Sequence, residues 1–298
     1  MNYNDKLRTE RDIRMSDYWC LFGVTLLYWD HILTFPAEVK YLWKRPRAIS
    51  GYMFFLNRYF TALTNIVVII SRLGPKSLLE SSSCLPLQKI RDIVVVVAQV
   101  IVLLIMTMRI YALYECNKRL LWILLCILML GLAGCAFSLF YKTGEPVFET
   151  RCHTPRDERQ AAQAVVAWEA AFFYDALIFS LAMYKAYQTK KQLGMRLPLM
   201  TIIIRDGSLY FGAMSLASLA NILTFYLAGP FMKVSLSPVA SSLSVTLVSR
   251  LMLHLHEMAD TGIYHFSTWD GQGIEIRVQS YQMDVFSDDE TLKRTVRL

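Results

Sequence analysis

Apolar residues gather into seven long stretches, roughly Asp17 to Phe35, Gly51 to Ile70, Ile93 to Tyr114, Leu121 to Tyr141, Ala161 to Tyr187, Gly207 to Ala228 and Val234 to Leu255. A helix rising about 1.5 Å per residue needs roughly twenty apolar residues to cross about 30 Å of hydrocarbon. The pattern predicts an all-α polytopic membrane protein, a seven-transmembrane helix bundle of receptor-like topology with the lipid bilayer as its surroundings. The chain then divides into an extracellular N-terminus (1–16), a seven-helix domain (17–256) and a cytoplasmic tail (257–298). Within the tail only 274–278 alternates like a strand, and a lone strand is not a stable element, so the tail reads as extended or disordered unless bound.

Composition agrees with a lipid-facing surface. Hydrophobic residues make up 55% and charged residues 18%, against roughly 45–50% and about 25% in soluble domains. The formal charge of +7 collects in the first residues, the loops and the tail. No folded module presents the basic face a nucleic acid would require. Short basic loops set the orientation, because cytoplasmic loops hold an excess of Lys and Arg. Lys40, Lys44, Arg45 and Arg47, then Lys118 and Arg119, then Lys185, Lys190, Lys191 and Arg196 share one face, which puts the N-terminus outside. Arg72, Lys76, Lys89, Arg91, Lys142, Arg151, Arg156 and Arg159 lie on the other, so the asymmetry is small.

Cysteines bear on the same question. Cys84, before span three, and Cys152, before span five, are separated by an even number of crossings and share a face. With the N-terminus outside, that face is oxidising and a bridge would tie helix three to the loop; two unpaired loop cysteines are the alternative. Cys20, Cys126 and Cys135 read as small buried hydrophobes, and Cys116 as a free thiol or an acylation site.

Three places in the spans carry unusual charge. After Tyr28-Trp29-Asp30-His31, Pro36 opens a segment whose Val39, Leu42 and Trp43 follow helical spacing, which predicts an interfacial stub anchored by its aromatic ring and cations. Arg58 lies close to hydrocarbon and must snorkel or pair, with Asp30 in the neighbouring span as the expected partner. Arg109 sits at the inner foot of span three, where it either anchors at the interface or serves a conformational switch.

The runs Tyr28-Trp29-Asp30-His31, Glu38 to Arg45 and Leu56-Asn57-Arg58-Tyr59 resemble the opening signature of DUF6533, a fungal, mainly basidiomycete, membrane-protein family of unknown function. Arg109-Ile110-Tyr111-Ala112-Leu113-Tyr114 and Ser249 to His256 are similar to later segments of the same proteins. The resemblance implies seven passes, a signature segment at about 18–60 containing Tyr28, Trp29, Asp30, Glu38, Trp43, Asn57, Arg58 and Tyr59, with Arg109 and Tyr111 further on, and no established activity. Rhodopsin-like receptors carry an acid-arginine-aromatic triplet at the foot of helix three. Here Met108-Arg109-Ile110 supplies the arginine alone, and no Asn-Pro-x-x-Tyr run occurs in span seven.

Span five holds Trp168, Glu169 and Asp175. An unpaired carboxylate in hydrocarbon costs several kcal/mol, so each should face the bundle interior, water or a partner. The two acids are six residues apart, about 240° around a helix, and do not form one pair. Trp168, Glu169 and Asp175 mark a candidate ligand pocket; the alternative for Glu169 is a polar staple to another helix, and for the deeper Asp175 pairing or protonation. Gly212, Ser215, Ser218 and Asn221, and Ser237, Ser241 and Ser244, form small polar stripes that allow close packing or line a wet path.

His31, His153, His254, His256 and His265 form no metal set, and no phosphate loop, nucleophile elbow or zinc-protease motif occurs, so neither enzyme activity nor a cofactor or metal is expected. Ser287, followed by Asp288-Asp289-Glu290, is a candidate phosphosite. The leading expectation is a receptor-like sensor of an extracellular small molecule, in the plasma membrane, coupled to a cytoplasmic signalling partner. A transporter or channel, or a structural membrane protein, stands as the alternative.

Overall fold

A computed structural model describes residues 3–43, 49–73, 84–140, 158–193, 198–229, 232–233, 235–260, 265–270 and 273–278. The helices are α1 (Tyr3–Tyr41), α2 (49–73), α3 (Cys84–Leu113), α4 (Lys118–Phe140), α5 (Glu158–Leu193), α6 (Pro198–Leu227) and α7 (Ser237–Asp260). In α2, Ile49–Phe55 and Thr61–Leu73 are α-helical, and Leu56–Phe60 between them is a π-helical turn. Each apolar stretch lies within one of these helices or overlaps most of it. The helices reach further than the stretches: α1 starts at Tyr3, and α6 starts at Pro198.

Among the described residues, six helices are long and apolar enough to cross a membrane, over Ile49–Ile70, Ile90–Leu113, Lys118–Ala136, Val165–Gln188, Leu209–Leu227 and Ser237–Glu257. The protein is a multi-pass helical membrane protein. Large apolar side chains on its outside, such as Trp122 at 68% and Leu130 at 75% exposure on α4, are where lipid tails replace water.

The helices close into a ring. Each packs on its sequence neighbours, α7 returns to α1, and α3 runs through the middle against α2, α4, α5 and α7. Leu27, Phe54, Val102, Met106, Ile110, Leu124, Ile178, Met214, Val245 and Val248 make the core. Parallel neighbours keep constant register: the Thr107 and Tyr174 hydroxyls lie 2.6 Å apart, and Tyr114 Oη donates to the Leu181 carbonyl at 3.0 Å, fixing α3 alongside α5.

α1 and α7 touch backbone to backbone at Gly23. A Cβ there would stand 3.0 Å from Val239 Cα and 3.1 Å from the Pro238 carbonyl carbon. Proline fits this site because, at the first turn of α7, its missing N–H costs no helical bond. Small residues let helices approach this closely.

Two expectations are corrected. Pro36 does not open a separate stub; α1 runs through it to Tyr41, and Leu42 N–H still reaches the Glu38 carbonyl at 2.9 Å. The helix tolerates the lost bond at Pro36 because side chains beyond it are held by tertiary contacts described below. The alternating segment of the tail is not alone: β2 (Gly273–Val278) pairs antiparallel with β1 (His265–Asp270), His265 opposite Val278 and Asp270 opposite Gly273.

Replacing Gly23 by Ala should lower the melting temperature of the purified protein in detergent, by the equivalent of about 1–3 kcal/mol for overpacking a tight contact. Unchanged melting would mean that α1 and α7 are not held this closely.

Candidate functional site

Among the described residues, the largest collection of buried charge lies where α1, α2 and α7 meet, at the end of the bundle to which α1 and α7 descend. Glu38 is fully buried and Arg58 is 1% exposed. The guanidinium Nε of Arg58 lies 2.9 Å from Glu38 Oε2. Tyr59 Oη donates to Glu38 Oε1 at 2.7 Å, and Trp43 Nε1 donates to the same oxygen at 3.1 Å. Arg58 also donates through Nη2 to the His31 carbonyl at 2.8 Å and lies over the Phe54 ring. A carboxylate in this position is tolerable because each of its oxygens meets a donor or a cation.

Local backbone geometry makes the arrangement possible. Asn57, Arg58 and Tyr59 are consecutive, and on a regular helix their side chains would fan out over most of the circumference. Here they fall within the wide π turn of α2. Asn57 points to α7, donating through Nδ2 to Ser249 Oγ at 3.2 Å and to the Val245 carbonyl at 3.4 Å. Arg58 and Tyr59 point to α1. A π turn leaves carbonyls short of partners. Thr61 Oγ1 donates to the Asn57 carbonyl at 2.8 Å, and His31 Nε2 lies 3.3 Å from the Arg58 carbonyl. Tyr28 Oη pins the next turn of α2 by donating to the Ala62 carbonyl at 2.8 Å.

A second ion pair extends the cluster onto α7. Arg250 Nε meets Asp30 Oδ1 at 2.5 Å, and Tyr41 Oη donates to Glu257 Oε1 at 3.0 Å close by. Two acids and two arginines therefore neutralise one another across three helices. The expected pairing of Arg58 with Asp30 is corrected: Arg58 takes Glu38, and Asp30 takes Arg250. The exchange follows from the unbroken α1, which carries Glu38 inward beyond Pro36.

The signature residues Tyr28, Asp30, Glu38, Trp43, Asn57, Arg58 and Tyr59 all belong to this cluster, while Trp29 is 62% exposed on the outer face of α1. Arg109 and Tyr111 lie on α3 outside it. Tyr111 is buried, and Arg109 Nε makes no hydrogen bond among the described residues. Arg250 was not anticipated as a partner, although a single cation within a spanning helix asks for a carboxylate.

The span-five residues occupy a separate seam. Glu169 Oε1 accepts from Tyr226 Oη at 2.5 Å on the outside of α5 and α6, beside a half-buried Trp168. Asp175 is buried and accepts from Ser218 Oγ at 3.3 Å. Their different faces agree with the six-residue spacing. One turn from Ser218, Asn221 Oδ1 accepts from Ser237 Oγ at 3.2 Å, joining α6 to α7. Cys84 begins α3, whereas Cys152 and Ser287 lie outside the described residues, so the expected bridge and phosphosite do as well.

Residues 18–63 match the model of a family of unknown function, DUF6533. No curated protein and no solved structure matches the chain. The matched segment contains every member of the cluster contributed by α1 and α2, so the family's defining stretch is the part of the chain that builds the buried charge network.

Replacing Glu38 by Ala strands the Arg58 guanidinium and should cost about 3–5 kcal/mol of stability, as for other broken buried pairs. Tyr59→Phe removes one hydrogen bond to a charged group and should cost about 1.5–3 kcal/mol. Thermal unfolding in detergent checks the order, and equal melting of both variants and the parent would contradict it.

Proposed function

We propose that the chain is a seven-pass receptor-like sensor of the plasma membrane, with its N-terminus outside and its C-terminus in the cytoplasm. A small molecule reaching the seam of Trp168, Glu169 and Asp175 would bias the far ends of α1, α2, α3 and α7. One observation carries the reading: α6 holds the buried Asp175 of α5 through Ser218 and, one turn on, holds the start of α7 through Asn221 and Ser237, and the other end of α7 is held by Arg250 on Asp30. Coupling between distant sites can be carried by packed, hydrogen-bonded elements that have two arrangements.

α1 supplies the seventh crossing in this reading. Its hydropathy is lowered by Asp30 and Glu38, which are buried in the cluster, and by Tyr and Trp. Tyr18, Phe22, Trp29, Ile32 and Leu33 remain exposed and offer lipid an aromatic and apolar face. Lys118, Arg119 and Lys185 rim the end where a cytoplasmic signalling partner would dock, and phosphate on Ser287 would add negative charge to the tail. A Cys84–Cys152 bridge would then fall on the oxidising side, and the sensor role requires no catalytic group.

Transport is the second reading, favoured by the buried Ser237, Ser241, Ser244 and Ser249 of α7. Two measurements decide. An impermeant thiol reagent on intact cells should label Cys84 and Cys152 only after mild reduction; labelling only after permeabilisation reverses the orientation. In a thermal-shift screen of small molecules, any stabilising compound should lose its effect on Asp175→Asn, whereas solute flux into proteoliposomes that falls with Ser241→Val would replace the sensor by a transporter.

A further inference from the structure

Arg109 of α3 is a cation at membrane depth that the charge cluster leaves unmatched. Arg58 rests on Glu38 and Arg250 on Asp30, whereas Arg109 meets no carboxylate among the described residues. Its Nε is sealed from solvent without a hydrogen-bond partner, on a side chain that starts inside the span Ile90–Leu113. A guanidinium cannot shed its charge as a buried carboxyl or amine can. Such a group calls for a counter-charge.

The described fold has no acid to spare for it. The carboxylates around the ends of α1, α3 and α7 are engaged: Asp30 with Arg250, Glu38 with Arg58, Glu115 with Lys185 at 3.2 Å, and Glu257 with Tyr41. The group on which the Arg109 charge acts is instead another basic one, His256 of α7. The His256 ring is tied through Nδ1 to the Met252 carbonyl at 2.8 Å, which leaves Nε2 as the ring atom that can face a ligand. In the imidazolium form that atom is a second N–H donor. Lys118 and Arg119 stand exposed at the start of α4, a short turn after α3. Positive charge is thus concentrated where α3 approaches the last turns of α7, with no acid among the described residues to balance it.

We propose that Arg109 and His256 hold a phosphate group between α3 and α7. The planar fork of an arginine matches a phosphate through two parallel N–H···O bonds. Charge favours phosphate over a carboxylate, because a phosphate monoester carries about 1.5–2 negative charges at neutral pH and two basic side chains act on one another here. Depth is suited as well. Arg109 lies one turn before Leu113, the end of α3, about 6 Å along the axis, so its long side chain reaches the interfacial layer. The phosphate comes either from the headgroup of an anionic lipid or from solution. Once bound, it ties α3 to α7 at a place where their own side chains repel. The site is separate from the α5–α6 seam and holds whether or not that seam takes a ligand.

The test uses the full-length protein in phosphatidylcholine nanodiscs, titrated with inorganic phosphate against chloride at matched ionic strength and read by thermal unfolding. The melting temperature of the parent should rise saturably, by roughly 5 °C at a hundredfold excess over Kd. If the source is lipid, nanodiscs containing phosphatidic acid should give this rise without phosphate in solution. With either source Arg109→Gln should lose the response, while Arg109→Lys, which keeps the charge but not the fork, and His256→Gln should each show a weakened one. No rise with either source, or a rise in Arg109→Gln equal to that of the parent, would overturn the site. Should Arg109→Gln fail to fold, Arg109→Lys and His256→Gln decide the same point, and a response equal to the parent's in both would overturn it.

Discussion

A carboxylate sealed inside a membrane helix bundle must be matched, and Glu38 is matched by Arg58, Tyr59 and Trp43. The rest of the architecture at this end follows from that requirement. α1 has to continue beyond Pro36 to bring Glu38 inward, and α2 has to widen into a π turn to present Arg58 and Tyr59 together. The same turn then leaves Asn57 facing α7. Hydrocarbon raises the stakes, since no water is available to any group left over.

The arrangement also bears on α1, which has to cross the membrane if the chain makes seven passes. Asp30 and Glu38 of α1 are paired inside the bundle, and between Tyr18 and Leu33 its outer face is aromatic and aliphatic. At the α5–α6 seam the logic is different. Asp175 has a single serine donor and Glu169 a tyrosine, with no cation paired to either among the described residues. One end of the protein is thus electrostatically closed, and the middle holds a buried carboxylate with few partners. That asymmetry is what a sensor would need, a responsive group in one place and a defined structure in another.

Much of the fold was legible in the sequence because bilayer thickness writes itself into the length of apolar runs. The helices, their order and the importance of the segment around Tyr28 to Tyr59 could all be read. The separation of Glu169 from Asp175 followed from helical geometry alone. What could not be read was partner choice. Asp30 and Arg58 lie near each other in sequence order, and Arg250 is 220 positions from Asp30, so local reasoning chose the wrong pair. Pro36 misled for a related reason: a proline ends a helix in isolation, but tertiary contacts beyond it outweighed one lost hydrogen bond. Gly23 gave no signal, since a glycine in an apolar run shows its purpose only when Pro238 and Val239 lie against it.

The most direct test of the account is a double-mutant cycle at Glu38 and Arg58, using Glu38→Met, Arg58→Met and both together, read by thermal and denaturant unfolding. A buried pair that exists to neutralise itself predicts that each single change is severe and that the double variant recovers much of the loss, with a coupling of about 1–3 kcal/mol or more. Additive losses, with the double variant as unstable as the two single effects combined, would contradict the claim that this pair organises the end of the bundle.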